Sequence, residues 1–363
     1  MSDFRVEITD IKAVRHHPNA DRLDIVNIFG WEVVTSKDTY KVGDKVCYFP
    51  VDCIISEDLE KILFPPDSKI KLTNRRIKSI KLRGQISQGM IANPKLIGVD
   101  HFNIDKNVAE YLKCIKYEPP EISKPRGMQV RSKKQVNPNF RKYTDIQNYK
   151  YYNEVFQQGE LVVITEKCHG TSWRGGWVKN DANTLWKKIR KLFGRLPEWE
   201  FVWGSHNVQI QNKLFHKGFY DVDVYSKMVK QYDLKNLIPK GYVLYGEIVG
   251  YNIQKNFHYD CVPGEHKLFL FDVKFNDKWL DYEDFKITVD ALKLSRVPEL
   301  FTGPYDPAIV DKLRSGTSIL DENTIKEGIV IKTIKETECS LGRKILKFIN
   351  DEYYLLKDGT DYH

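Results

Sequence analysis

The chain has 363 residues, which at about 150 residues per domain suggests two domains or one large one. Hydrophobic residues make up 41% and charged residues 29%, enough apolar content for a packed core and too much for wholesale disorder. No apolar run approaches the ~18 residues of a membrane span, Met1–Glu7 lacks the basic-then-apolar order of a secretory signal, and none of the six cysteines stands in a C-x-x-C pair. The expectation is an intracellular protein of the cytoplasm or nucleus, of cellular or viral origin, with reduced thiols and no membrane association.

The net charge is modest, 57 Lys+Arg against 49 Asp+Glu, or +8. Its distribution says more. The first ~115 residues carry the marks of short strands and turns: alternation in Phe4–Ile8 and Asp24–Ile28, then Lys45–Phe49 closed by Pro50. Arg75–Arg83 reads as a further strand ending at Gly84. It lies in a stretch, Lys69–Arg83, with seven basic residues and no acidic one. Several short strands separated by turn residues predict a small β-barrel over 1–115, with a basic strand suited to a nucleic-acid backbone.

A linker is expected over 116–139, where Pro119, Pro120, Pro125, Gly127 and Pro138 break regular structure. From Lys116 to Lys142 there are eight basic residues and two acidic ones. A second domain is expected over 140–363. Its apolar segments, Glu160–Glu166, Gly241–Val249, Lys267–Val273, Gly328–Lys332 and Lys344–Phe348, predict strands. Asp221–Leu234 and Asp281–Leu294 have helical spacing. So does Leu185–Phe193, whose polar face holds Lys187, Lys188, Arg190 and Lys191. The fold class is α+β with a large antiparallel component. Three basic clusters with interleaved aromatics point to a polyanionic partner.

Chemistry is concentrated in five segments. In Glu166-Lys167-Cys168-His169-Gly170-Thr171-Ser172, a lysine follows a buried strand and precedes a turn glycine. A lysine of pKa ~10.4 is neutral in only about one molecule in 10³ at pH 7, and lowering that pKa by three units takes ~4 kcal/mol. One like charge at ~4 Å supplies about that much at an effective dielectric of 20, so a second cation would suffice to activate it. Downstream follow Tyr245-Gly246-Glu247, Phe269-Leu270-Phe271-Asp272, Lys326-Glu327-Gly328-Ile329-Val330 and Arg343-Lys344-Ile345-Leu346-Lys347. The first three of these end strands with a carboxylate and the last is a cationic strand. Paired carboxylates can hold a divalent ion directly or through its waters. Strand cations can hold phosphates, and an aromatic can stack a base.

The order and spacing of these segments resemble the covalent nucleotidyltransferase superfamily of ATP-dependent ligases and capping enzymes. Within it the whole chain resembles the Naegleria- and Deinococcus-type RNA ligases, which place an oligonucleotide-binding (OB) barrel before the adenylyltransferase domain. His17-Pro18-Asn19-Ala20-Asp21-Arg22-Leu23, Tyr48-Phe49-Pro50 and Leu82-Arg83-Gly84-Gln85-Ile86-Ser87-Gln88-Gly89 carry the barrel part of the likeness. The resemblance implies an OB-like β-barrel followed by an antiparallel-sheet, ATP-grasp-like nucleotidyltransferase domain. It implies ATP as AMP donor and a divalent metal, Mg²⁺ or Mn²⁺.

The resemblance also implies residue roles. Lys167 is the expected nucleophile, with Lys347 as a second catalytic cation. Glu166, Gly170, Glu247, Phe271, Lys344 and Lys347 would bind the nucleotide, with Phe271 against the adenine. Glu327, Glu247 and His169 would serve the metal. RNA contacts are expected at Arg174, His206 and Asn207, and in the barrel at Arg75, Arg76 and Arg83. The expected partner is RNA, as a nicked duplex with an RNA 3′-OH strand, met by a monomer. This chain departs from the family pattern at three places. His169 stands where Asp is usual, His206 precedes Asn207 where another basic residue is usual, and Ile345 and Ile349 flank Lys347 where a second lysine is usual. The alternatives are a capping-type guanylyltransferase and a non-catalytic RNA-binding protein on a ligase scaffold.

Overall fold

The computed structural model describes residues 3–68, 71–118, 137–181, 189–190, 192–194, 196–210, 223–356 and 359–360. The expected helix at Leu185–Phe193 falls largely outside them. The chain divides into two compact units that are not consecutive in sequence. The first comprises Met1–Pro120, Asp145–Glu154 and Leu346–His363, and the second Glu121–Thr144 and Val155–Ile345.

In the first unit, Glu7–Asp10, Lys45–Phe49 and Met90–Ala92 form an antiparallel sheet in that order. Ala13–His16, Leu23–Ile28 and Trp31–Ser36 form a second. Val6, Ile8, Cys47, Phe49, Cys53 and Ile55 meet in one core. The basic stretch differs from the strand expected at Arg75–Arg83. Only Ile80–Leu82 forms a strand, paired with Gln85–Ser87; Arg76 is extended and bridges Ile54, and Asn74 and Arg75 take positive φ in a 3₁₀ turn. Two consecutive left-handed residues cannot continue a pleated strand.

In the second unit, Leu161–Lys167 is a central strand, antiparallel to Glu299–Pro304 on one side and Gly328–Thr333 on the other. Val162, Val163 and Ile164 are buried whichever face they point to, which is why this strand reads as a continuous apolar run. A larger sheet follows the order Gln209–Ile210, Trp199–Ser205, Thr171–Lys179, Tyr242–Gly250, His266–Phe275, Lys278–Trp279. Val224–Gln231 and Tyr282–Ala291, the two expected helices somewhat shortened, place Met228, Phe285 and Val289 against Trp173, Leu244 and Leu270 in the main core. The turn Cys168–Gly170 joins the two sheets, and Lys167 ends the strand that enters it.

Candidate active site

Strand register assembles the site. Lys167 pairs with Gly328, so Glu327 is delivered directly beside the lysine from 160 positions down the chain. The Lys167 ammonium donates to Glu327 Oε1 at 2.7 Å. Glu327 is 1% exposed, and its other oxygen, Oε2, has no hydrogen-bond partner and lies 3.6 Å from His169 Nδ1. Burial disfavours the charged carboxylate, but Lys167 and His169 outweigh it and bring the Glu327 pKa down to about 2.

Glu247 reaches the same recess from the neighbouring sheet, where it pairs with Ser172. Burial raises its pKa to about 8. Lys167 and the Gly170 backbone oppose that rise and the Glu327 charge reinforces it. The two carboxyls beside one ammonium therefore have their pKa values pushed in opposite directions. Gly170 is required by space: a Cβ there would stand 2.2 Å from the Ile248 carbonyl oxygen and 2.9 Å from Glu247 Cγ.

Glu166 points the other way from its strand neighbour, as the period of two demands. Its carboxylate accepts from Ser318 Oγ and, at 2.9 Å, from the Ile319 N–H. Phe271 is the extra residue of a β-bulge, since Tyr245 pairs with Asp272 while Gly246 pairs with Leu270. The bulge re-aims the ring, which meets Tyr143 edge-on at 4.8 Å. Asp272, a carboxylate the sequence marked as a candidate for chemistry, is instead fully buried between cations. It accepts from Arg343 at 2.8 Å and from Tyr143 Oη at 2.9 Å, with Lys332 Nζ at 3.3 Å. Burial works against its charge, yet Lys332 and Arg343 hold its pKa below the usual carboxylate range.

Three residues expected to meet ligand are engaged with partners inside the chain. Arg174 is 2% exposed, donates to the carbonyls of Ser205 and Phe140, and lies over the Phe140 ring, so it braces the sheet. Arg76 is paired with Asp52 and stacked on Tyr117 within the first unit. Lys344 donates to both oxygens of Glu160 at 2.7 Å. Glu160 precedes the strand that Lys167 ends, which puts Lys344 roughly 23 Å along that strand from the nucleophile at ~3.3 Å per residue. The reason is common to all three: a formal charge in the sequence carries no mark of whether its partner is internal.

The other expected residues are placed as follows. Arg83 is exposed at a positive-φ turn and Arg75 is half-buried. His206 is half-buried and Asn207 exposed, its Oδ1 accepting from Lys142 at 2.6 Å. Lys347 is buried on Ile345–Ile349, opposite Asn148 in a parallel pair, within the first unit. The sequence reading missed Tyr259 and Gln254, which touch the Cys168–Gly170 turn from a loop without motif character.

Among the described residues no cluster of three or more His, Cys, Asp and Glu side chains forms a ready metal cage. The recess fits an ion that keeps most of its water: the unpartnered Glu327 Oε2 is a hard oxygen donor, with Glu247 and His169 beside it. No helix among the described residues is long and apolar enough to cross a membrane.

Residues 160–349, more than half of the chain, match the family model of RNA ligases. Residues 5–94 match the model of an OB-fold domain. No curated protein matches the sequence. Similar solved structures include Naegleria gruberi RNA ligase in a lysine-to-alanine form with ATP and Mn, at TM-score 0.73 and 20% identity, covering 96% of this chain and 98% of that one. The same enzyme with PPi gives 0.70 and 20%, covering 97% and 98%. A lysine-to-methionine form with AMP and Mn gives 0.71 and 20%, covering 96% and 97%. At such identity the likeness is one of fold: an OB domain followed by a sheet-rich nucleotidyltransferase domain.

Proposed function

Because this chain belongs to the RNA ligase family, we propose that it joins RNA ends in an ATP-dependent reaction that passes through an adenylate on Lys167. The supporting observation is the buried recess in which one lysine at a strand end meets Glu327 at 2.7 Å and shares its surroundings with Glu247.

In the first step Lys167 Nζ attacks the α-phosphorus of ATP. A P–N bond forms, the α–β phosphoanhydride bond breaks, and pyrophosphate leaves. The ion pair with Glu327 stabilises the ammonium, so the lysine must leave that partner and give up a proton before it attacks. Glu327, Glu247 and His169 would hold a divalent ion, Mg²⁺ or Mn²⁺, which would offset charge on the phosphates. Glu247, whose pKa burial raises, would meet a ribose hydroxyl or a metal-bound water. Phe271 sits on its bulge as the aromatic for the adenine. The AMP then passes to an RNA 5′-phosphate, and attack by a 3′-OH releases AMP and forms the phosphodiester. In each step the protein mainly positions groups and offsets developing charge.

We assign the exposed Arg83, the half-buried Arg75, His206 and Asn207 to the RNA, as a nicked duplex. Lys347 is assigned to the phosphates. The test is incubation of the full chain with labelled ATP or GTP and Mg²⁺ or Mn²⁺, then intact mass measurement and peptide mapping. An AMP adduct on Lys167, followed by sealing of a nicked duplex with an RNA 3′-OH, is the expected result. A GMP adduct supports the capping-type alternative, and no adduct with any nucleotide overturns the catalytic reading.

A further inference from the structure

The turn that carries the nucleophile is held by side chains from one loop. The His169 N–H donates to Tyr259 Oη at 2.6 Å. Gln254 Nε2 donates to the Gly170 carbonyl at 2.7 Å. Phe257 meets the His169 ring edge-on at 4.6 Å. All three residues lie in the loop between Tyr242–Gly250, the strand that supplies Glu247, and His266–Phe275, the strand that supplies Phe271. Two backbone polar groups of the turn, the His169 N–H and the Gly170 carbonyl, are therefore satisfied by side chains of this one loop.

The loop's backbone is unusual in a way that this role explains. Asn252, Asn256, Tyr259 and Asp260 all have positive φ. Asn and Asp tolerate that region, but an aromatic residue rarely enters it. Tyr259, at φ 51° and 2% exposed, is held there while its hydroxyl reaches the turn. Strain of this kind persists where surrounding structure over-determines it, and it concentrates at functional sites.

We propose that Tyr259 and Gln254 are positioning residues: they fix the Cys168–Gly170 turn so that Lys167 and His169 keep their placement against Glu327 and Glu247. This rests on the reading of Lys167 as the adenylated nucleophile. Without the Tyr259 hydroxyl, the buried His169 N–H has lost its acceptor and the turn relaxes. Displacement of a reacting atom by about 1 Å can cost ~10²-fold in rate. The loss falls on the chemical step, because neither side chain is assigned to the nucleotide.

The experiment is single-turnover adenylylation of the full chain across ATP concentrations, with melting temperature measured in parallel, for wild type, Tyr259→Phe, Gln254→Ala and the loop control Lys255→Ala. Expected are a fall in the maximal rate of about 10–100-fold for Tyr259→Phe and a smaller one for Gln254→Ala. The half-saturating ATP concentration should move by less than about threefold, and Lys255→Ala should behave as wild type. Full maximal rates in both turn-contacting variants overturn the proposal. So does a rate loss that disappears on cooling below the variant's unfolding transition, which marks a stability effect alone. If Tyr259→Phe does not fold, Gln254→Ala decides by the same criteria. Wild type that takes no AMP defeats the reading of Lys167, an outcome distinct from variants that match an active wild type.

Discussion

Glu327 and Lys167 form a buried ion pair at 2.7 Å whose carboxylate keeps one oxygen without a hydrogen-bond partner. Lys167 ends its strand opposite Gly328 and Glu327 immediately precedes that partner strand, so strand register brings the two side chains together. In Glu327→Gln the carboxamide keeps the shape but loses the charge. Adenylylation is expected to fall by roughly 10²-fold or more, from loss of charge stabilisation at the phosphates. A double-mutant cycle with Lys167→Met, read by denaturant unfolding, should give a coupling of about 1–3 kcal/mol. A coupling near zero contradicts the ion pair.

Glu247 predicts a pH dependence. Its folded pKa of about 8 lies above the ordinary 4.5, so the folded state binds a proton that the unfolded state releases. The favourable contribution is full below pH ~4.5 and is lost as pH rises through about 8, a difference of a few kcal/mol at ~1.4 kcal/mol per pH unit. Metal-free wild type should therefore lose stability between pH 5 and 9 relative to Glu247→Gln, measured by urea unfolding at each pH. Parallel profiles for the two proteins would refute the assignment.

Asp272 should behave as a structural charge. Replacing it with Ala leaves Arg343 and Lys332 buried without their shared carboxylate, and removing one partner of a buried pair costs about 3–5 kcal/mol. Chemical denaturation should show the loss. Restoration by Asp272→Glu is not expected, because the longer side chain must enter a fully buried site.

The internally paired Arg174 should separate from the exposed Arg83 in RNA binding. Arg83→Ala should lower the salt dependence of RNA affinity by about one phosphate contact. Arg174→Met should leave that slope unchanged while lowering thermal stability, since its guanidinium donates to two carbonyls inside the protein. Filter binding over a salt series distinguishes them. An equal fall in slope for both would place Arg174 at the RNA.

Lys344→Ala removes a pair with Glu160 that is distant from Lys167. Stability should drop by ~1 kcal/mol or less, as for partly exposed pairs, and adenylylation should stay within about threefold of wild type. A larger loss of adenylylation would return Lys344 to the nucleotide site.

Local pattern carried much of this protein. The strand Lys45–Phe49 closed by Pro50, the apolar run before Lys167 and the glycine after it follow from apolar content, turn residues and steric space, all written in adjacent residues. The order of Lys167, Glu247, Phe271 and Glu327 along the chain was equally legible, and so was the family it resembles. Tertiary structure alone decided which charges face inward. Arg174 and Asp272 look in sequence like their exposed counterparts, and only packing shows that their partners are Phe140 and Arg343. It also decided the role of the Tyr251–Val262 loop, because a hydrogen bond between His169 and Tyr259 spans 90 positions and depends on a positive φ that no local pattern announces. Propensity acts between neighbours, whereas burial and strand register are properties of the whole fold.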